Sequence, residues 1–304
     1  MSFIKFENVT KDYGNNKGIF NISFEIKKGE SFGIVGINGA GKTTILRHIM
    51  GFIKQDYGKI SINDLDAFDD AKEIKKLVSY IPGEINFPNV KSGDDFLKLQ
   101  AEFWKRDNLD AVYEITKKLQ LDSRANVKRM SKGMKQKTGI VVSFLPENEI
   151  FIFDEPTTGL DPLMRRDFIN LIIQERLKRK TFIISSHMFD ELEQCCDRVA
   201  MIKDGKILRI VDVKKEIHDN QNKNFKIEFK TKNDYLNFLK NEIINITKKD
   251  DKQNQIVITI NNQRINELMK ILSKYNILFI KENKILLENL FLKEYQKSIE
   301  KENK

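Results

Sequence analysis

The sequence predicts an α/β fold built around a phosphate-binding loop, with a mixed, largely parallel central sheet, an antiparallel β subdomain, a helical subdomain and a small C-terminal α+β domain. Three observations carry this expectation. A short apolar strand from Ser31 to Val35 runs into a glycine-rich turn, Gly36 to Gly41, followed by Lys42-Thr43-Thr44 and a helical pattern. Two continuous apolar runs, EIFIF ending at Phe153 and TFIIS ending at Ser185, flank an amphipathic stretch from Leu163 to Lys180. Strands apolar on both faces and joined by a helix belong to a buried parallel sheet. Elsewhere the apolar positions alternate at period two, the mark of half-buried antiparallel strands.

Taken in order, FIKFENV, IFNISFEI and GKISIND between Phe3 and Ile62 alternate apolar and polar residues, which predicts a small antiparallel sheet beside the phosphate loop. The loop itself comprises Gly36, Ile37, Asn38, Gly39, Ala40 and Gly41 before Lys42. Glycines let successive backbone N–H groups face an anion, and the helix N-terminus adds about half a positive charge behind them. Lys42 is placed to reach the β- and γ-phosphates of a nucleotide, and the Thr43 hydroxyl to sit on Mg²⁺. From Pro88 to Arg129 the period becomes helical, with Phe96, Leu97, Phe103 and Trp104, then Val112, Ile115, Leu119 and Leu121 at spacings of three and four. This gives a helical insert at about residues 88–135, in which the lone Trp104 reads as packing on an apolar face.

Downstream, the run Ile150 to Phe153 ends in Asp154-Glu155, two carboxylates at the C-terminal end of a buried strand, where the metal chemistry of phosphate-loop proteins takes place. Asp154 is placed to hold the ion through a water, and Glu155 to polarise an attacking water. After AMIKDGKILRI the dense motifs stop, so a boundary is drawn between residues 1–210 and 211–304. The tail reads as a strand FKIEFK, a helix DYLNFLKNEI, a strand QIVITI, a helix INELMKILSKY, strands ILFIKE and KILLE, and a terminal helix from Asn289.

Composition narrows the class. A chain of 304 residues, 40% hydrophobic, can bury a full α/β core and still leave a small second domain. No run approaches the roughly eighteen apolar residues of a membrane span, and MSFIKFENVT lacks the layout of a signal peptide, so a cytoplasmic chain is expected. The only cysteines, Cys195 and Cys196, are sequence neighbours and read as free thiols of a reducing compartment. The net charge of +9 invites a nucleic-acid partner, but the lysines alternate with acids and amides, as in KKDDKQNQ, and form no patch; no nucleic acid is expected.

Five motifs in order, KDYG, GINGAGKTT, MSKGMKQ, IFIFDEPTTGLDP and SSH, make residues 1 to about 210 resemble the nucleotide-binding domain of ATP-binding cassette (ABC) transporters, a P-loop NTPase family. The resemblance implies ATP and Mg²⁺ as ligands, and ATP hydrolysis as the reaction. It implies that Tyr13 stacks on the adenine, that His187 contacts the γ-phosphate and attacking water, and that Lys42, Glu155 and His187 form the catalytic set. It further implies that Ser131 and Gly133 meet the γ-phosphate held by an opposite subunit, with Asp161 at the seam. The partners it implies are a second nucleotide-binding domain, identical or related, and an integral membrane permease on a separate chain. Such a subunit lies in the cytoplasm, peripheral on the inner face of the cell membrane. The PGE and SKGM segments and the short tail are similar to those of exporters of the bacitracin, lantibiotic or multidrug type. The alternative class is a soluble cassette ATPase acting on ribosomes or nucleic acid. Three positions depart from the family: Gly83 stands where a glutamine is usual, leaving Glu84 as the candidate substitute, Lys132 stands where the signature has glycine, and Met134 replaces a glutamine that can reach the ribose.

Overall fold

The computed structural model describes residues 2–219, 222–241, 244–283 and 286–302. It divides into two units, residues 1–213 with 290–304, and residues 214–289.

The first unit opens with β1 (Ser2–Asp12) and β2 (Gly18–Lys27), then β3 (Ser31–Val35) and α1 (Lys42–Ile49) on either side of the glycine-rich turn. β4 (Tyr57–Ile62), β5 (Leu65–Asp66), α2 (Ala71–Leu77) and β6 (Val78–Ile81) follow. The helical region holds α3 (Gly93–Trp104), α4 (Asp110–Lys118) and α5 (Lys132–Ser143). After it come β7 (Ile150–Asp154), α6 (Pro162–Leu177), β8 (Thr181–Ser186), α7 (Phe189–Cys195), β9 (Arg198–Lys203) and β10 (Lys206–Asp212).

Two sheets result. One is antiparallel, in the order β2-β1-β4-β5; the other has the order β10-β9-β3-β8-β7-β6, parallel except for the β10–β9 hairpin. Every residue of β3, β7 and β8 is buried, which is why these segments read as unbroken apolar runs. Phe24 stacks on Phe6 at 4.5 Å and on Phe32 at 5.2 Å, so the alternating face of the antiparallel sheet packs onto β3 through one aromatic column. On the parallel sheet, Phe151 stacks on Phe144 and Phe182. Helix starts are defined by side chains: Ser92 and Asp95 form a capping box on α3, Ser131 accepts from Met134 N–H at α5, and Asp161 accepts from Met164 N–H at α6, with Pro162 as first helical residue. Trp104 closes α3 half-buried, edge-on against the exposed ring of Phe103.

The second unit begins within α8 (Val213–Asp219) and contains β11 (Asn222–Phe229), α9 (Lys232–Leu239), β12 (Asn245–Asp250), β13 (Gln255–Asn261), α10 (Ile265–Leu272) and β14 (Ile277–Asn283). Its antiparallel sheet has the order β12-β13-β11-β14, a split βαβ arrangement of the ferredoxin-like kind. Phe225, Ile227, Phe229, Tyr235, Phe238, Ile258 and Leu268 form its core. The expected strand KILLE is not formed. Residues 286–288 open α11 (Leu286–Glu302), which therefore starts ahead of Asn289, while residues 284 and 285 lie outside the described ones. A run of three apolar residues suits either element, and length decides for the helix. The structure also adds β12, which the sequence reading left without an element.

Candidate functional site

β3 delivers the chain into the phosphate loop. Gly41 takes φ +107° as N-cap of α1 and Gly39 takes φ +82°, conformations that favour glycine. A Cβ at Gly36 would lie 2.5 Å from the Ile202 carbonyl oxygen, so the loop lies against β9. Ala40 is buried and its carbonyl accepts from Gly205 N–H, whereas Ile37, Asn38 and Gly39 are exposed. Asn38, Gly39, Gly41, Lys42, Thr43 and Thr44 line a cleft of about 640 Å³, which Tyr13, half exposed, also borders.

The Lys42 side chain is 5% exposed and joins three groups: its Nζ donates to Gly36 O at 2.8 Å and Ile37 O at 3.3 Å, and pairs with Glu155 Oε1 at 3.1 Å. The other Glu155 oxygen, Oε2, lies 3.0 Å from His187 Nδ1. Glu155 thus bridges Lys42 and His187, the other two residues expected in the catalytic set. Burial alone would push the Glu155 carboxyl up, but the Lys42 ammonium and His187 more than offset it and hold it below its ordinary value. The carboxyl is a charged acceptor facing the cleft.

Asp154 ends β7 buried, and Ser185 Oγ donates to its Oδ1 at 2.6 Å. Glu155 N–H is shared between Ser185 O, at 3.1 Å, and Ser185 Oγ, at 3.0 Å. These bonds hold Glu155 at φ +48°, a left-handed conformation uncommon for a side-chain-bearing residue and a local signature of a functional turn. Gly83 lies on the same rim: a Cβ there would stand 3.7 Å from Asp154 Oδ2, while Glu84 is exposed.

Ser131, Gly133 and Asp161 are not among the residues lining this cleft. They are brought together elsewhere in the same unit. A Cβ at Gly133 would lie 2.6 Å from Gly159 O, so the start of α5 packs tightly on the turn that leads to Asp161, and Lys132 lays its stem over Gly159. Asp161 caps α6, and that bond to Met164 N–H holds its carboxyl below its ordinary value.

Several residues of the site escaped the sequence reading. Asp204 and Gly205 form the hairpin turn between β9 and β10 and also line the cleft, and the DG pair between two apolar runs was the available signal. Ser185, Ser186, Thr157 and Glu191 carry hydrogen bonds beneath the rim; only the Ser-Ser pair ahead of His187 pointed to them.

Comparison with known proteins identifies the family. The ABC transporter family model matches residues 19–158. The bacitracin transport ATP-binding protein BcrA of Bacillus licheniformis is 36% identical over 211 residues, 68% of this chain and 69% of that protein. The linearmycin resistance ATP-binding protein LnrL of Bacillus subtilis is 31% identical over 67% of each chain, and the methionine import ATP-binding protein MetN of Clostridium tetani 32% identical over 69% and 70%. A solved ATP-binding subunit of an ABC transporter superposes with a TM-score of 0.62 at 26% identity, covering 71% of this chain and 92% of its own. The dimeric cassette MJ0796 with ADP and Pi, at 23% identity and TM-score 0.61, covers 69% of this chain and 98% of its own and shares the fold. The chain belongs to the ABC transporter family as an ATP-binding, ATP-hydrolysing subunit. Among the described residues no helix is long and apolar enough to cross a membrane.

Proposed function

Taking that membership as the premise, we propose that this chain is the motor of an exporter of a drug, peptide antibiotic or lipid-like compound, driving a membrane permease on another chain. Association with that permease places it peripherally on the inner face of the cell membrane. The export reading is supported by the names of BcrA and LnrL, a bacitracin transporter and a linearmycin resistance protein, against the import named for MetN.

The observation that carries the mechanism is Glu155 held between Lys42 and His187 at the edge of the loop-lined cleft. With triphosphate in the loop, Lys42 neutralises phosphoryl oxygens, as do the loop N–H groups and the N-terminus of α1. Glu155, kept as a carboxylate by the Lys42 ammonium and its contact with His187, accepts the hydrogen bond of the attacking water, and His187 orients that water against the γ-phosphate. Tyr13 at the mouth offers a ring to the adenine. Thr43, which lines the cleft, and Asp154, at the end of β7, would hold Mg²⁺, an ion that binds through one or two carboxylates and keeps several waters; among the described residues no three acids, His or Cys converge to form a closed protein cage. When bound there, Mg²⁺ supplies positive charge to the phosphoryl oxygens.

Ser131, Gly133 and Asp161, which lie outside the cleft of their own chain, are read as acting toward another copy or a related subunit, as the family resemblance implies. Ser131 and the N-terminus of α5 close over the triphosphate from across a head-to-tail dimer, and closure excludes water. Glu155→Gln tests the reading: ATP binding and dimer formation should persist while turnover falls about 100-fold or more. Turnover at the wild-type rate would remove Glu155 from the role.

A further inference from the structure

Beneath the Glu155–His187 pair lies a buried carboxylate that this mechanism does not use. Glu191, on α7, is 4% exposed, and its Oε2 accepts from Thr157 Oγ1 at 2.8 Å and from Ser186 Oγ at 3.0 Å. Ser186 Oγ in turn accepts from Met188 N–H at 2.9 Å. The chain Met188, Ser186, Glu191, Thr157 therefore brackets His187 on both sides and ends two residues beyond Glu155. Its other oxygen, Oε1, has no hydrogen-bond donor among the described residues and meets Arg165 Nε at 3.9 Å. A buried carboxylate with one oxygen lacking a donor is costly, and an apolar side chain would fill the inner face of α7 more cheaply. Its presence calls for a reason other than packing.

We infer that Glu191 is a positioning residue that locks the Glu155–His187 pair by holding the exits of β7 and β8 on one carboxylate oxygen. The two catalytic side chains stand on different loops, after Asp154 and after Ser186, and their 3.0 Å contact depends on the distance between those loops. One acceptor shared by two hydroxyls makes that distance a single variable. Release of either hydroxyl lets the other loop relax as well. Thr157 and Ser186 are themselves 4% and 2% exposed, so no water replaces Glu191 at the node without rearrangement. The inference rests on the catalytic reading of Glu155 and His187 given above.

The test uses the full chain and measures ATP turnover and ATP affinity separately for Glu191→Ala, Glu191→Gln, Thr157→Val, Ser186→Ala and the Thr157→Val/Ser186→Ala pair, with Glu155→Gln alongside. Misplacing a reacting group by about 1 Å costs on the order of 100-fold, so Glu191→Ala should lose turnover about 100-fold while ATP affinity stays within about twofold. Glu191→Gln keeps an oxygen able to accept both hydroxyls and should restore most of the rate. Because both hydroxyls act through one oxygen, the pair should cost no more than Glu191→Ala, less than the product of the two single effects. Three results would overturn the assignment: wild-type turnover in Glu191→Ala, a loss of ATP affinity equal to the loss of rate, or independent effects of Thr157 and Ser186. Unimpaired turnover in Glu155→Gln would instead sink the catalytic reading, whatever Glu191 does.

Discussion

In the six-stranded sheet, β6, β7, β8, β3 and β9 run the same way, so the turns that follow them open on one rim. That rim collects Gly83, Glu155, His187, the phosphate loop and the Asp204-Gly205 turn. In the tail, every neighbouring pair of strands is antiparallel, and the strand ends alternate between two rims. Its core of Phe, Tyr, Ile and Leu is as well buried as that of the larger unit, and its helix α9 is as properly capped, by Thr231. What it lacks is convergence. Two layers suffice for a fold, but concentrating several polar loops on one ligand is what parallel strands do.

The contrast is sharpest at Lys42. Lys42→Ala removes an ammonium that is 5% exposed and placed to make about two charge-assisted bonds to phosphate, each contributing about 1.5–3 kcal/mol. The expected result is an ATP affinity lowered about 100-fold or more. Lys281→Ala, on the exposed edge strand β14 of the tail, should leave it unchanged. A nucleotide titration of the two variants decides; equal affinity in both would break the comparison at its base.

The reverse contrast comes from the tail's core. Phe238 is fully buried, packed against Phe229 and Tyr275, and Phe238→Ala should cost the tail about 3–5 kcal/mol of stability. ATP affinity should stay within about twofold of wild type, because the described residues that line the cleft all belong to the ATP-binding unit. Denaturation followed by tryptophan and far-ultraviolet signals, with a nucleotide titration alongside, measures both. A parallel loss of ATP binding would show that the tail's integrity supports the site.

The same difference in convergence explains what could be seen in the sequence. The phosphate loop, Asp154, Glu155 and His187 each follow a short strand of the parallel sheet, so motif and element reinforced one another. Strand β12 could not be seen because NITKKD has no alternation of its own. It is an edge strand, mostly exposed, with Lys248, Lys249 and Asp250 guarding its open side, and its position is set by pairing with β13. Glu191 was invisible for a different reason. An acid in the helical pattern FDELEQ reads as surface, and only the packing of α7 against β3 and β8 turns it inward. The pairing of Gly133 with Gly159 likewise joins segments that sequence spacing does not relate.

Caps offer a matched pair of smaller perturbations. Ser131 accepts from Met134 N–H at 3.2 Å on α5, and Thr231 from Asp234 N–H at 3.1 Å on α9. Either residue changed to alanine should cost about 1 kcal/mol of stability in its own unit. Only Ser131→Ala should also lower turnover, since only that hydroxyl is read as facing a nucleotide across the dimer. Equal turnover in the two variants would count against the head-to-tail arrangement.

The smallest expected difference is in acid response. Burial holds the His48 imidazole below its ordinary value of 6.5 in the ATP-binding unit. The unfolded chain therefore takes up a proton there first, and stability is lost as pH falls from about 6.5 through the folded value. Glu191 works in the opposite sense. Burial raises its carboxyl above the ordinary 4.5, outweighing the Thr157 and Ser186 hydroxyls and Arg165, so the folded state binds the proton more readily and gains relative stability as pH falls from that raised value to about 4.5. Asp234 and Glu267 of the tail are held below their ordinary values by Thr231 and Arg264, and the stability they contribute is lost only as pH falls below about 4.5. Between neutral pH and about 4.5, therefore, His48 softens the ATP-binding unit and Glu191 offsets it, while Asp234 and Glu267 leave the tail unchanged. His48→Asn should flatten that slope and Glu191→Gln should steepen it, measured as the midpoint of urea unfolding across the pH series. If both substitutions leave the slope unchanged, neither buried group governs the acid response, and the contrast between the units rests on their loops alone.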